Sequence, residues 1–229
     1  MTKKQNRLRA RRAALLVITA IVSITITYFS EDSWQQTSSL PIDKAVAISN
    51  LDSLEVKGRA PKTGYERSQF GNGWSTHTDG CDTRNKILKR DLSDTTQNDK
   101  CQILTGNLND PYTGMQINFS RTDNSSVIQI DHVVALSDAW QKGAQQLTRA
   151  QRIQLANDPL ELLAVSGAAN QAKSDGDAAT WLPKNKSFRC EYVARQIAVK
   201  QKYTLWVTQA EKDAIMQVLA ACPLQPLPV

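Results

Sequence analysis

Two short stretches of the chain carry side chains whose types and spacing could do chemistry. In Ile130-Asp131-His132-Val133 an aspartate and a histidine stand side by side at the end of an apolar run. In Asn170-Gln171-Ala172-Lys173 an asparagine and a lysine lie about one helical turn apart. Asp131 and Asn170 both offer hard oxygen donors, the kind that bind Mg²⁺ while it keeps several waters. His132 supplies an imidazole that can take a proton from water near neutral pH. An Asp-His pair alone more often closes a hydrogen-bonded turn. Joined to Asn170 and Lys173 at this spacing, it points to metal-assisted attack of water on a phosphodiester. The second histidine, His77, sits in the polar stretch STHTDG and is read as exposed and idle.

These residues need a scaffold that brings them together. VIQID (127–131) alternates apolar and polar residues and reads as a strand, LELLAV (160–165) as a short apolar strand, and AANQAKSD (168–175) as a helix opening after Gly167. Strand, strand and helix in that order can fold as a ββα unit. Asp131 and Asn170 then face each other across a small gap, and His132 points to the other side of its strand. MQINF (115–119) also alternates, and with VIQID across SRTDNSS it predicts a β-hairpin with a longer loop. CQILTG (101–106) reads as a strand, DPYTG (110–114) as a turn and TRNKILKRDL (83–92) as a short helix. Residues 136–158 read as helical with a break near Gly143, and residues 187–203 as another helix. Thr208 and Glu211 form a Thr-x-x-Glu capping box opening a last helix that Pro223 ends.

The last two helices are joined by a short link and should pack antiparallel. That sets Cys190 at the start of one beside Cys222 at the end of the other, and leaves Cys81 to pair with Cys101. No Cys-x-x-Cys pair exists, which argues against a zinc knuckle. Two disulfides suit a protein outside the cell.

The charge agrees with export. The net charge is +6, and Lys3, Lys4, Arg7, Arg9, Arg11 and Arg12 account for all of it. The rest of the chain is formally neutral, so the basic pI says nothing about nucleic-acid binding. The six cations precede Ala13 to Phe29, a run with no charged residue. That is the layout of a secretory signal or, at this length, of an uncleaved anchor over 13–29. Residues 1–30 are read as signal peptide or membrane anchor, 31–63 as a polar linker and 64–229 as the globular domain, secreted or held outside at the membrane.

Beyond the Asp-His and Asn-x-x-Lys pieces, the runs FGNGW, GCDTRN, DPYTG, IDHVVALSDAW, ANDPLELLAV and TWLPKN follow in order. Together they resemble the HNH endonucleases, the ββα-metal or His-Me finger family, and within it an exported bacterial branch. The resemblance runs from about Tyr65 to Ala221. It implies an α+β domain, mostly helical around a ββα-metal core and stapled by the two disulfides. It implies one divalent metal, Mg²⁺ or Mn²⁺, on Asp131 and Asn170, with His132 as general base and Lys173 near the phosphate of a DNA substrate. Where the family usually has an asparagine fixing the loop of the histidine, this chain has Glu161. Glu161 either accepts backbone N–H bonds in its place or faces the metal as an extra carboxylate. Asn157 lies close enough in sequence to touch the site. Arg84 either clamps a phosphate or makes a salt bridge near a helix cap with Asp82. Trp140 and Trp181 read as packing residues. Two other functions fit the same residues: a binding or cell-envelope module that keeps the fold without the chemistry, and a ribonuclease. No protein partner is inferable.

Overall fold

Ile128 and Ile130 pack to one side of their strand and Asp131 to the other, so this strand carries its chemistry at the boundary between two cores. The computed structural model describes residues 47–228. The signal or anchor expected over 13–29 lies outside the described residues. Among the described residues no helix is long and apolar enough to cross a membrane.

The protein is α+β with two disulfides. In chain order it has α1 (Ala47–Ser53), α2 (Thr83–Asp91), β1 (Ser93–Gln97), β2 (Ile103–Asn109), β3 (Gln116–Ser120), β4 (Ile128–His132), α3 (Leu136–Gln141), α4 (Arg149–Ala156), β5 (Leu162–Ser166), α5 (Gly167–Lys173), α6 (Arg189–Lys202) and α7 (Gln209–Leu219). Strands β1-β2-β3 form one antiparallel sheet and β4-β5 a second. The expected hairpin of 115–119 with 127–131 does not form. β3 pairs with β2, and β4 pairs with β5. Alternation in the sequence marks each segment as a strand but does not choose its partner. β1 is missed by periodicity because SDTTQ is polar and mostly exposed on both faces.

Helix α2 starts on Asp82, whose Oδ1 accepts the Asn85 N–H at 2.7 Å. Its Ile87 and Leu88 fill the space between the two sheets, against Phe119, Ile128, Ile130 and Leu162. Its last turn covers the free edge of β5. Arg90 donates to the Pro159 and Leu162 carbonyls, and Asp91 accepts the Ala164 N–H at 2.8 Å. An open strand edge is thereby satisfied by side chains. Asp110 fastens the DPYTG turn to the end of β5 by accepting the Ser166 N–H at 3.0 Å.

On the other face of β4-β5, Leu163 and Val165 meet α1, α6 and α7 around Tyr112, Tyr192 and Ile197. Residues 47–63, read from composition as linker, belong to the unit that begins at Lys44. Ala47 and Leu51 are fully buried, and Val56 bridges to Val207. Arg59 reaches Asp138 and Asp177. The helix over 136–156 is divided at Gly143, whose φ of 122° suits glycine alone. Cys81 pairs with Cys101 and Cys190 with Cys222, as the packing of α6 on α7 requires. Thr208 caps α7 at the Glu211 N–H, but the Glu211 side chain does not complete a capping box. It is buried against Lys142 and Lys200 instead. The capping box forms at Thr148 and Gln151.

Candidate active site

β4 and β5 pair antiparallel and α5, which follows β5 directly, packs on both, so the three form a ββα unit in chain order. α5 lies close to both strands because its first residue is Gly167. A Cβ there would collide with the Ser126 carbonyl and the Gln129 side chain. This close approach lets Gln129 Oε1 accept a hydrogen bond from Asn170 Nδ2 at 2.9 Å. The bond holds the amide by its nitrogen and leaves Oδ1 without a partner among the described residues.

Asp131 is buried and both of its oxygens are engaged. Lys173 Nζ donates to Oδ1 at 2.9 Å and the Tyr112 hydroxyl to Oδ2 at 2.5 Å. Burial raises the Asp131 carboxyl above its ordinary value, and Lys173 opposes that. Lys173 Nζ also donates to the His132 carbonyl at 2.7 Å. It is 2% exposed and does not line the cavity described below. Lys173 thus holds the strand end in place from behind.

His132 points to the opposite face. Its ring lies parallel and offset to Trp74, 5.7 Å between centroids and 9° between planes. Its Nε2 is 3.0 Å from the Ala156 carbonyl oxygen. A carbonyl only accepts, so the ring proton sits on Nε2 and Nδ1 keeps its lone pair. Burial, then the charge of Arg67, pushes the imidazole pKa down to about 3, against the bond to Ala156. The ring is neutral at rest.

Asp131, His132 and Asn170 line one cavity of about 480 Å³, with Tyr65, Arg67, Trp74 and Arg84 among its other walls. Arg84 donates to the Ile128 carbonyl at 3.3 Å and to that of Ser125. Among the described residues it has no carboxylate partner. Burial and the neighbouring Arg121 both lower its pKa. Arg67 is exposed and makes no hydrogen bond or ion pair with the described residues. Asp175 on the rim is engaged by Lys62 at 3.2 Å. The cavity therefore presents two uncompensated guanidinium groups, which suits an anion.

Glu161 and Asn157 sit behind the cavity. Glu161 Oε2 accepts the Val134 N–H at 3.1 Å, and its backbone carbonyl accepts the Val133 N–H at 2.8 Å. Burial raises its carboxyl pKa well above the usual range, against the bond from Val134 and the charge of Lys173. Asn157 Oδ1 accepts the Ser75 N–H at 2.9 Å, next to Trp74. Helix α4 therefore ends by holding the histidine through Ala156 and the tryptophan segment through Asn157. His77 contacts Thr83 Oγ1 at 3.1 Å, on the same segment but outside the cavity. Trp140 packs in the core beside Phe70 and Leu155, and Trp181 against Tyr112.

The residues that spacing did not single out are Arg67, Trp74 and Tyr112. Trp74 lies in FGNGW and Tyr112 in DPYTG, two of the runs noted above, but only the fold shows what they touch. Nothing in the sequence around Arg67 distinguishes it from a surface arginine.

Asp131 and Asn170 suit a divalent cation by donor type. Asn170 Oδ1 is free and orientated, and each Asp131 oxygen keeps a second lone pair. Among the described residues no three His, Cys, Asp or Glu side chains converge as a metal cage. A cation here would keep most of its water, as Mg²⁺ does.

A secreted protein of Arthroderma benhamiae, described as uncharacterized, is 37% identical over 180 residues, covering 78% of this chain and 85% of that protein. No solved structure matches the chain. Residues 82–218 match the family of GmrSD restriction endonucleases, C-terminal domain. That match contains Arg84, Asp131, His132, Glu161, Asn170 and Lys173 and spans more than half of the sequence, so the chain belongs to the family of the C-terminal domain of GmrSD restriction endonucleases.

Proposed function

We propose that the protein is an exported, metal-dependent endonuclease of the HNH type that hydrolyses phosphodiester bonds of DNA. The family is one of restriction endonucleases, which supports nuclease-type chemistry. The observation that carries the finer reading is the state of His132. Its ring is neutral, its Nε2 proton is held by Ala156, its Nδ1 has no partner among the described residues, and the ring lines one cavity with Asp131 and Asn170.

In this reading the scissile phosphate lies between Arg84 and Arg67. Asp131 and Asn170 would hold a divalent cation, which would supply charge neutralisation to the reacting phosphate. His132 Nδ1 takes one proton from a water whose oxygen forms the new bond to phosphorus. The P–O3′ bond breaks, and the departing oxygen is protonated from solvent. The phosphate also offsets the repulsion of Arg67 on the ring, so His132 binds a proton more readily once substrate is present. Lys173, Tyr112 and Glu161 hold the strand end and the loop after it. The two disulfides support a life outside the cell.

The expected result is cleavage of DNA with Mg²⁺ or Mn²⁺, none with EDTA, and a loss of about 10²–10⁴-fold in His132→Ala. Unchanged cleavage in His132→Ala or Asn170→Ala overturns the mechanism. One observation favours a second reading, a binding module without chemistry: Lys173 and Tyr112 already occupy both Asp131 oxygens. That reading expects no shift of the thermal midpoint on adding Mg²⁺.

A further inference from the structure

Beside the polar cavity lies a second of about 200 Å³, and the two share Arg67, Trp74, His132 and Leu136. Their linings differ in kind. The larger has two carboxylates, amides and serines. The smaller is closed by Phe70, Leu136, Ala156 and the bare backbone of Gly71 and Gly73, with Trp74 and His132 at its side and Arg67 at its mouth. Gly71 and Gly73 have φ of 106° and 139°, and a Cβ at Gly73 would meet nothing within 4 Å. The glycines thus leave a smooth wall in a backbone conformation that other residues adopt only under strain.

A ligand for this space has a flat apolar face, joins an anion at its edge and continues toward the phosphate whose attacking water His132 would deprotonate. Resting on the phosphodiesterase reading above, we propose that the smaller cavity is a base subsite: it takes the nucleobase of the nucleotide adjoining the scissile phosphate, and Arg67 holds that nucleotide's own phosphate. A base that is paired and stacked in a duplex cannot enter a walled pocket beside a tryptophan without leaving the stack. The substrate class is therefore single-stranded DNA, or a strand with unpaired nucleotides, and base stacking rather than base-edge hydrogen bonding sets the preference.

The test uses the full oxidised chain with Mg²⁺ or Mn²⁺ on three end-labelled substrates of one sequence: the single strand, its duplex, and the single strand with one abasic position. The single strand should be cut about 5- to 100-fold faster than the duplex. Cleavage next to the abasic position should fall by a similar factor while other bonds in that strand are cut at their normal rates. Trp74→Ala should erase that local dip. A merely structural tryptophan would lower every bond alike and leave the dip, which would count against the subsite. Equal rates on strand and duplex with no dip would overturn the base subsite and leave the phosphodiesterase reading standing. No cleavage of any substrate would remove both.

Discussion

Lys142 and Lys173 are both sealed from solvent, yet the charges around them are arranged on different terms. Lys142 meets Asp138 at 2.8 Å, Asp177 at 2.7 Å and Glu211 at 2.7 Å. Lys200 and Arg59 complete that cluster, so three cations face three carboxylates from five parts of the chain. Burial raises the Asp177 carboxyl, but Lys142 and Arg59 more than offset it and hold it below its ordinary value. Around Lys173 the arrangement is different. Lys173 and Asp131 pair with each other, while burial holds the His132 pKa low and the Glu161 pKa high. Arg67 and Arg84 then stand at the cavity without a carboxylate. A balanced cluster closes a fold, whereas a cluster with two unpaired guanidinium groups is waiting for an anionic ligand.

The contrast can be broken from either side. The largest expected effect on stability is at the balanced cluster. Lys142→Ala leaves three buried carboxylates short of their shared cation and should cost about 3–5 kcal/mol in chemical denaturation. Arg67→Ala should do the reverse. Its thermal midpoint should stay near that of the native chain, while kcat/KM for DNA should fall roughly 10- to 100-fold through loss of charge-assisted phosphate contacts. A large loss of stability in Arg67→Ala would show that the arginine belongs to the fold and not to the ligand.

The smallest effect sharpens the comparison at Glu161. Its carboxyl pKa is raised in the folded protein, so folding takes up a proton above the unfolded value. Stability from this group is complete below about pH 4.3. It is lost as pH rises toward the folded value. Glu161→Gln cannot ionise and can accept the Val134 N–H in the same way. It should match the native chain at pH 4 and become the more stable of the two as pH rises to 8. Parallel stability curves across that range would show that Glu161 is ionised in the fold.

Much of the site was legible because its parts are local. Asp131 and His132 needed only an alternating strand to face opposite ways, and Asn170 needed only a helix start after Gly167. The pairing of Cys190 with Cys222 followed from a short link between two amphipathic helices. What escaped depends on distant contacts. Alternation could not tell that β3 belongs with β2. The Thr-x-x-Glu pattern could not show that Glu211 has stronger partners in Lys142 and Lys200 than in its own helix end. Lys173 has the spacing of a phosphate ligand, but Asp131 and the His132 carbonyl draw it inward. The segment before Gly64 looked like linker because it is polar. Its buried apolar residues Ala47, Leu51 and Leu54 are enough to dock it.

The turn from Ala156 to Glu161 has a consequence for how relatives of this protein can vary. Connections between elements usually tolerate insertions and deletions. This one touches a different part of the molecule at nearly every step. Ala156 holds His132 and Asn157 holds Ser75. Asp158 accepts from Tyr203 at 2.6 Å, Pro159 from Arg90, and Glu161 from Val133 and Val134. One residue more or fewer would throw every later contact out of phase. Across homologues its side chains can drift, but its length should stay constant.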